Sequence, residues 1–124
     1  MISNIKLWSN NMTYSLIKIQ IELSNGQISP IFKASDTGDI QNFPIKQDEN
    51  PVRKVIGVGE YYLRKLKFED KDANSILHWN GTLKVGTKHE FTLDDDEFLV
   101  GIFGTHKEVY AGIYNFGFLI AKFE

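Results

Sequence analysis

The chain has 124 residues, 42% of them hydrophobic and 24% charged, and a formal net charge of −2. That length makes one domain with room for a real core, and a balance so near neutrality offers no field for nucleic acid or an anionic membrane. Cysteine is absent, which excludes disulfides, zinc–thiolate sites and thiol nucleophiles; this suits a reducing compartment such as the cytoplasm, and the compartment stays open.

In chain order, Met1-Ile-Ser-Asn4 lacks the basic and apolar regions of a signal peptide. Ile5-Lys-Leu-Trp8 reads as extended. Apolar residues then alternate at Ile17, Ile19, Ile21 and Leu23 with polar ones between, the mark of a half-buried strand. Ser24-Asn-Gly-Gln27 predicts a tight turn, because Asn-Gly accepts positive φ, and Ile28 to Phe32 is the returning strand. Residues 33–50 are the most polar stretch and read as the longest connection. Pro44 and Pro51 bracket a piece that suits only an edge or a loop.

Val52 to Gly57 and Tyr62 to Phe68 form the next extended pair, with Leu66 and Phe68 alternating against Lys67 and Glu69. Asp70 to Asn74 turns the chain into Ser75 to Trp79, Asn80-Gly81 turns it again, and Glu90 to Leu93 is a short strand. Asp94-Asp-Asp-Glu97 is a polar corner before Phe98 to Phe103 and Tyr110 to Phe118. The apolar stretch 98–123 is broken by Thr105-His-Lys-Glu108 and cannot cross a bilayer as one helix, so a soluble, non-inserted protein is expected.

No window keeps an apolar period of 3.6 residues over three turns, and the expected class is all-β. Tyr14, Tyr62 and Tyr110 recur at a spacing of 48 residues, each opening a predicted strand that follows another. A fixed period of this size points to one hairpin unit used three times. Such units cannot each bury a face alone, so their inner faces pack about a shared axis as a three-sided prism. Trp8 and Trp79 are expected to fill that axis with the large residues of the strand centres.

Ser15 to Phe32, with Leu-Ser-Asn-Gly-Gln followed by Ser-Pro-Ile-Phe, resembles the early strands of jacalin-related lectin domains. Val52 to Asp70 resembles that family's middle unit, and Glu90 to Gly104, closing with Phe116-Gly-Phe-Leu-Ile, its final unit. The resemblance implies a β-prism I fold of three Greek-key four-stranded sheets with pseudo-threefold symmetry, in one domain over residues 1–124 that stands alone or as part of a longer protein. The family's N-terminal glycine-rich segment is missing, so the first unit is expected to be abbreviated.

The resemblance also implies sugar binding without catalysis, at a hairpin tip reading Gly-x-x-x-Asp whose backbone N–H groups and carboxylate converge on hydroxyls. Convergence is needed because a sugar hydroxyl is already satisfied by water. Here the aspartate is absent. The third tip, Gly104, Thr105, His106, Lys107, Glu108 and Tyr110, has no aspartate because none follows Asp96. The second, Gly59, Glu60 and Tyr61, keeps a glycine and aromatics but has leucine at the aspartate position, and 8–14 has neither glycine nor aspartate. Both lettered tips are candidate ligand sites, with Glu108 as acceptor and a tyrosine to stack. A solvated hairpin tip accounts for the same residues and is the favoured reading of 104–110.

Asp70-Lys-Asp-Ala-Asn74 resembles the start of a calcium loop, but Ser75 and Gly81 stand where glycine and the closing glutamate belong, and a turn is favoured. Asp94 to Asp96 could attract a cation, though three adjacent carboxylates in a corner are usually only hydrated. His78, His89 and His106 have no ligand spacing, so no metal, cofactor or catalytic residue is expected. Asn11-Met-Thr13 and Asn80-Gly-Thr82 are glycosylation sequons that matter only on export.

Two readings follow: a carbohydrate-binding module for a glycan or glycoprotein, or a protein-interaction or structural module that kept the prism and lost the sugar. A barrel for an apolar ligand ranks below both because of the repeat. A homo-oligomer stays open.

Overall fold

The computed structural model describes residues 1–10, 15–30, 32–33, 39–59, 63–80, 86–107 and 112–122, and among these it contains strands and turns but no helix. The strands are β1 (Ile2–Asn10), β2 (Ser15–Leu23), β3 (Phe32–Lys33), β4 (Asp39–Pro44), β5 (Lys54–Gly59), β6 (Leu63–Glu69), β7 (Ser75–Asn80), β8 (Thr87–Thr92), β9 (Glu97–Lys107) and β10 (Gly112–Lys122). Every pairing is antiparallel.

The first sheet has the order β3-β2-β1-β4 and the second β7-β6-β5-β8. In each, the fourth strand returns to lie beside the first, which is the Greek-key order. The third sheet is β10-β9, two strands among the described residues. β2, β6 and β10, the second strands of the three units, pack on one another across the axis. The predicted threefold repeat is therefore the architecture, although Tyr14, Tyr62 and Tyr110 themselves lie outside the described residues.

The core follows from period-two alternation. Ile5 and Leu7 of β1 face inward opposite Ile21 and Ile19 of β2. Val55, Leu66, Phe68, Leu77 and Trp79 supply the second sheet, and Leu99 and Phe118 the third. Phe118 meets Phe68 edge to face with centroids 5.2 Å apart, locking the third sheet onto the second. Each of these side chains is worth roughly 1.5–3 kcal/mol of burial.

Trp79 is buried in the core, from β7 of the second sheet, but Trp8 is not. With Ile5 and Leu7 inward, alternation turns Trp8 to the outer face, where it pairs with Lys18 and that ammonium lies 5.5 Å from its ring centre. Three further expectations are corrected. The polar stretch 33–50 is not one connection, because β4 forms within it and pairs with β1. Pro44 is tolerated there because β4 is an edge strand. The return over 28–32 shrinks to a bridge at Ile28 and the two-residue β3. And the first unit is not the abbreviated one: it has four strands, while the two-stranded sheet belongs to the third unit, where no described segment flanks β9 or β10.

Gln47 takes up one residue's share of what a strand flanking β9 would bond. It is 1% exposed, on the connection after β4. Its Nε2 donates to the carbonyls of Ile2 at 2.7 Å and Leu99 at 3.1 Å, and its Oε1 accepts the Leu99 N–H at 3.1 Å. One amide thus satisfies both backbone groups of Leu99 on β9 and ties that residue to the start of β1.

Candidate functional site

Between the first two strands of each unit, in the same place of the chain order, lie residues 11–14, 60–62 and 108–111, all outside the described residues. Of the predicted site, Gly59 is the last residue of β5, opposite Leu63, where the register shifts after Val58. Gly104, Thr105, His106 and Lys107 are the end of β9, with Thr105 opposite Tyr114, His106 opposite Ile113 and Lys107 opposite Gly112. Thr105, His106 and Lys107 are therefore ladder residues, and Gly104 falls at the register shift between Thr105 and Phe103. Glu60, Tyr61, Glu108 and Tyr110 lie outside the described residues.

The opposite ends of the strands carry two arrangements that the sequence reading missed. Arg53, just before β5, donates from Nη1 to the carbonyls of Val52 (3.1 Å), Asp94 (2.9 Å) and Glu97 (3.1 Å), and from Nη2 to that of Asp95 (3.0 Å). The polar corner is thereby closed by a guanidinium, whose planar fork suits several acceptors at once. Glu97 adds its own turn bond by accepting the Asp94 N–H, and Lys122 lies 3.6 Å from Asp96. A lone arginine facing acids 41 residues later leaves no periodic signal.

In the loop 70–74, Oδ1 of Asp70 accepts the N–H groups of Asn74 and Asp72, each at 2.9 Å, and Oδ2 accepts from the Asn50 amide at 3.3 Å. The Asn74 bond is the main cause that holds this carboxyl below the ordinary aspartate pKa. One oxygen is taken by the loop backbone and the other by the Asn50 amide, so the loop is an Asp-organised turn, with Ala73 in the left-handed region at φ 64°. Among the described residues no three His, Cys, Asp or Glu side chains cluster as metal ligands. His78 and His89 stand on β7 and β8, the opposite edges of the second sheet, and His78 Nε2 lies 3.0 Å from the Asn80 amide. No helix of the described residues is long and apolar enough to cross a membrane.

No family model matches the sequence, and no curated protein does. Solved structures match strongly. A prostate-specific WGA16 glycoprotein lectin superposes with a TM-score of 0.79 at 14% identity, over 99% of this chain and 83% of that one. Jacalin, solved as a T-antigen complex, gives 0.74 at 17% identity over 97% and 91%. AcmJRL, a mannose-binding jacalin-related lectin from Ananas comosus, gives 0.72 at 12% over 98% and 83%. All-antiparallel strands, two complete Greek keys, three units meeting at one axis and this near full-length likeness agree: the chain has the β-prism fold of the jacalin-related lectins.

Proposed function

We propose that residues 1–124 form a single, non-enzymatic carbohydrate-binding module whose partner is a glycan or glycoprotein. One observation carries this reading: structures matching 97% of the chain include lectins solved with sugars, among them jacalin with T-antigen and artocarpin with mannotriose. The proposed contacts are the third tip, with Gly104, Thr105, His106, Lys107, Glu108 and Tyr110, and the second, with Gly59, Glu60 and Tyr61. Backbone N–H groups at the strand ends would donate to sugar hydroxyls. Glu108 would accept from them in place of the absent aspartate, and a tyrosine would stack on the ring.

Titration with mannose and galactose oligomers tests the reading. Binding should weaken roughly tenfold on Glu108→Ala or Tyr110→Ala, the worth of one or two hydrogen bonds or a stacked ring. No response to any glycan at millimolar concentration overturns it.

A second reading is favoured by the lack of any aspartate after Asp96. On that reading the prism serves protein recognition. A partner captured by the tagged protein and not released by free sugar would support it, and release by sugar would refute it.

A further inference from the structure

The sequence holds two Asn-Gly pairs, Asn25-Gly26 and Asn80-Gly81. This dipeptide has a reaction of its own. The backbone nitrogen of the glycine, hindered by no side chain, attacks the carbon of the asparagine amide and expels ammonia. The fold gives the two asparagines different surroundings for that reaction.

Asn80 is the last residue of β7. With Leu77 and Trp79 buried, period-two alternation puts His78 and Asn80 side by side on the outer face, both exposed. His78 Nε2 lies 3.0 Å from Asn80 Nδ2, the atom that leaves as ammonia. From β6, the strand paired with β7, Lys65 stands opposite Asn80 and Lys67 opposite His78, and Lys67 is engaged by Glu69 at 3.0 Å. An imidazole changes its protonation near neutral pH, which suits it to hand over and recover a proton; a lysine ammonium does not.

Asn25 is held against the same reaction. Its Oδ1 accepts the Gln27 N–H at 3.0 Å, and its Nδ2 donates at 3.0 Å to Gln27 Oε1, an acceptor with no proton to give. The Gly26 nitrogen already donates to the Leu23 carbonyl at 2.9 Å, a bond that must break before it can attack.

We propose that Asn80 is a deamidation site at which His78 hands the departing ammonia its proton. The Gly81 nitrogen loses its proton to water and bonds to Cγ of Asn80, giving a tetrahedral carbon. His78, as imidazolium, protonates Nδ2, the Cγ–Nδ2 bond breaks and ammonia leaves; the imidazole regains its proton from solvent. Water then opens the cyclic imide at either carbonyl, to aspartate or isoaspartate, and nothing is oxidised or reduced. The new carboxylate adds one negative charge to a chain of formal net charge −2 and removes the sequon Asn80-Gly-Thr82. It arises opposite Lys65, where an opposite-charge cross-strand pair is favourable.

Peptide mapping by mass spectrometry, which separates asparagine, aspartate and isoaspartate, tests the proposal on the folded chain kept for weeks at neutral pH and body temperature. Conversion at Asn80 should run about tenfold faster than at Asn25, a modest share of what a placed proton donor supplies. Toward mild acid the rate at Asn80 should hold while that at Asn25 falls. His78→Gln should bring Asn80 down to the behaviour of Asn25 and leave Asn25 itself unchanged. Because the His78 side chain is exposed, that variant should keep the circular dichroism melt; should it fail to fold, the wild-type pH profiles alone decide. Four outcomes overturn the proposal: no conversion at Asn80, conversion at Asn25 as fast as at Asn80, one pH profile shared by both, or a rate at Asn80 that a folded His78→Gln leaves unchanged.

Discussion

Replacing Gln47 by leucine keeps the volume and removes three hydrogen bonds at a site that is 1% exposed. The Leu99 N–H, the Leu99 carbonyl and the Ile2 carbonyl lose their partner together. A typical bond contributes about 1 kcal/mol net, and a buried group left unsatisfied costs about 1–3 kcal/mol, so the expected loss is roughly 3–5 kcal/mol. Against a total of about 5–15 kcal/mol this is a large share, and it corresponds to a fall in Tm of the order of 10–20 °C for a domain of this size. Gln47→Glu adds a signature in pH. A carboxylate there is desolvated and faces two carbonyl oxygens, so its folded pKa lies above the unfolded value. Stability of that variant should therefore be highest below the ordinary glutamate pKa of about 4.3 and fall as pH rises from there through the raised folded pKa. Urea unfolding of the wild type and both variants, with the slope held constant, provides the measurement. A loss under about 0.5 kcal/mol for Gln47→Leu, or a Gln47→Glu stability flat in pH, would refute the bridging role.

Arg53→Ala should cost about 1–3 kcal/mol in thermal or urea melts, because four backbone carbonyls lose a shared charged donor. Arg53→Lys should restore only part of that, since a point charge cannot span the same acceptors. Ala73→Gly should stabilise by about 0.5–1 kcal/mol, as glycine adopts the left-handed φ of 64° without the Cβ clash. Asp70→Ala should lower Tm. Because the Asp70 carboxyl is held below its ordinary pKa, its contribution is present above the usual aspartate range and lost as pH falls through the folded value, so the variant's deficit should vanish in acid melts.

Strand pairs with inward apolar residues on both members were legible in the sequence. The alternation around Ile19 and Ile21 and around Leu66 and Phe68 marks β2 and β6 directly, and Asn25-Gly26 marks a turn in which Gly26 takes φ 90°. β4 was hidden because an edge strand presents Gln41 and Asn42 and commits only Phe43 to the core's margin. Trp8 misled because size suggested burial where parity dictated the outer face. Gln47 and Arg53 act through backbone groups about 40 to 50 residues away in sequence, and a pattern of side chains carries no trace of such partners. The candidate tips were placed by resemblance and strand ends. Gly59 and residues 104–107 confirm only where the strands run out, since the ligand chemistry depends on convergence that no single spacing encodes.

The position of the Gln47 amide also changes how the three repeats share their stability. It sits on the connection between the first and second units, yet it bonds the first to the third, while Phe118 seats the third on Phe68 of the second. Each unit therefore leans on both others, and the array behaves as a closed ring rather than a ladder with free ends. In a ladder, one repeat can melt and leave its neighbours standing. In this ring, opening any joint withdraws support from two places at once, so the whole chain should unfold in a single cooperative step.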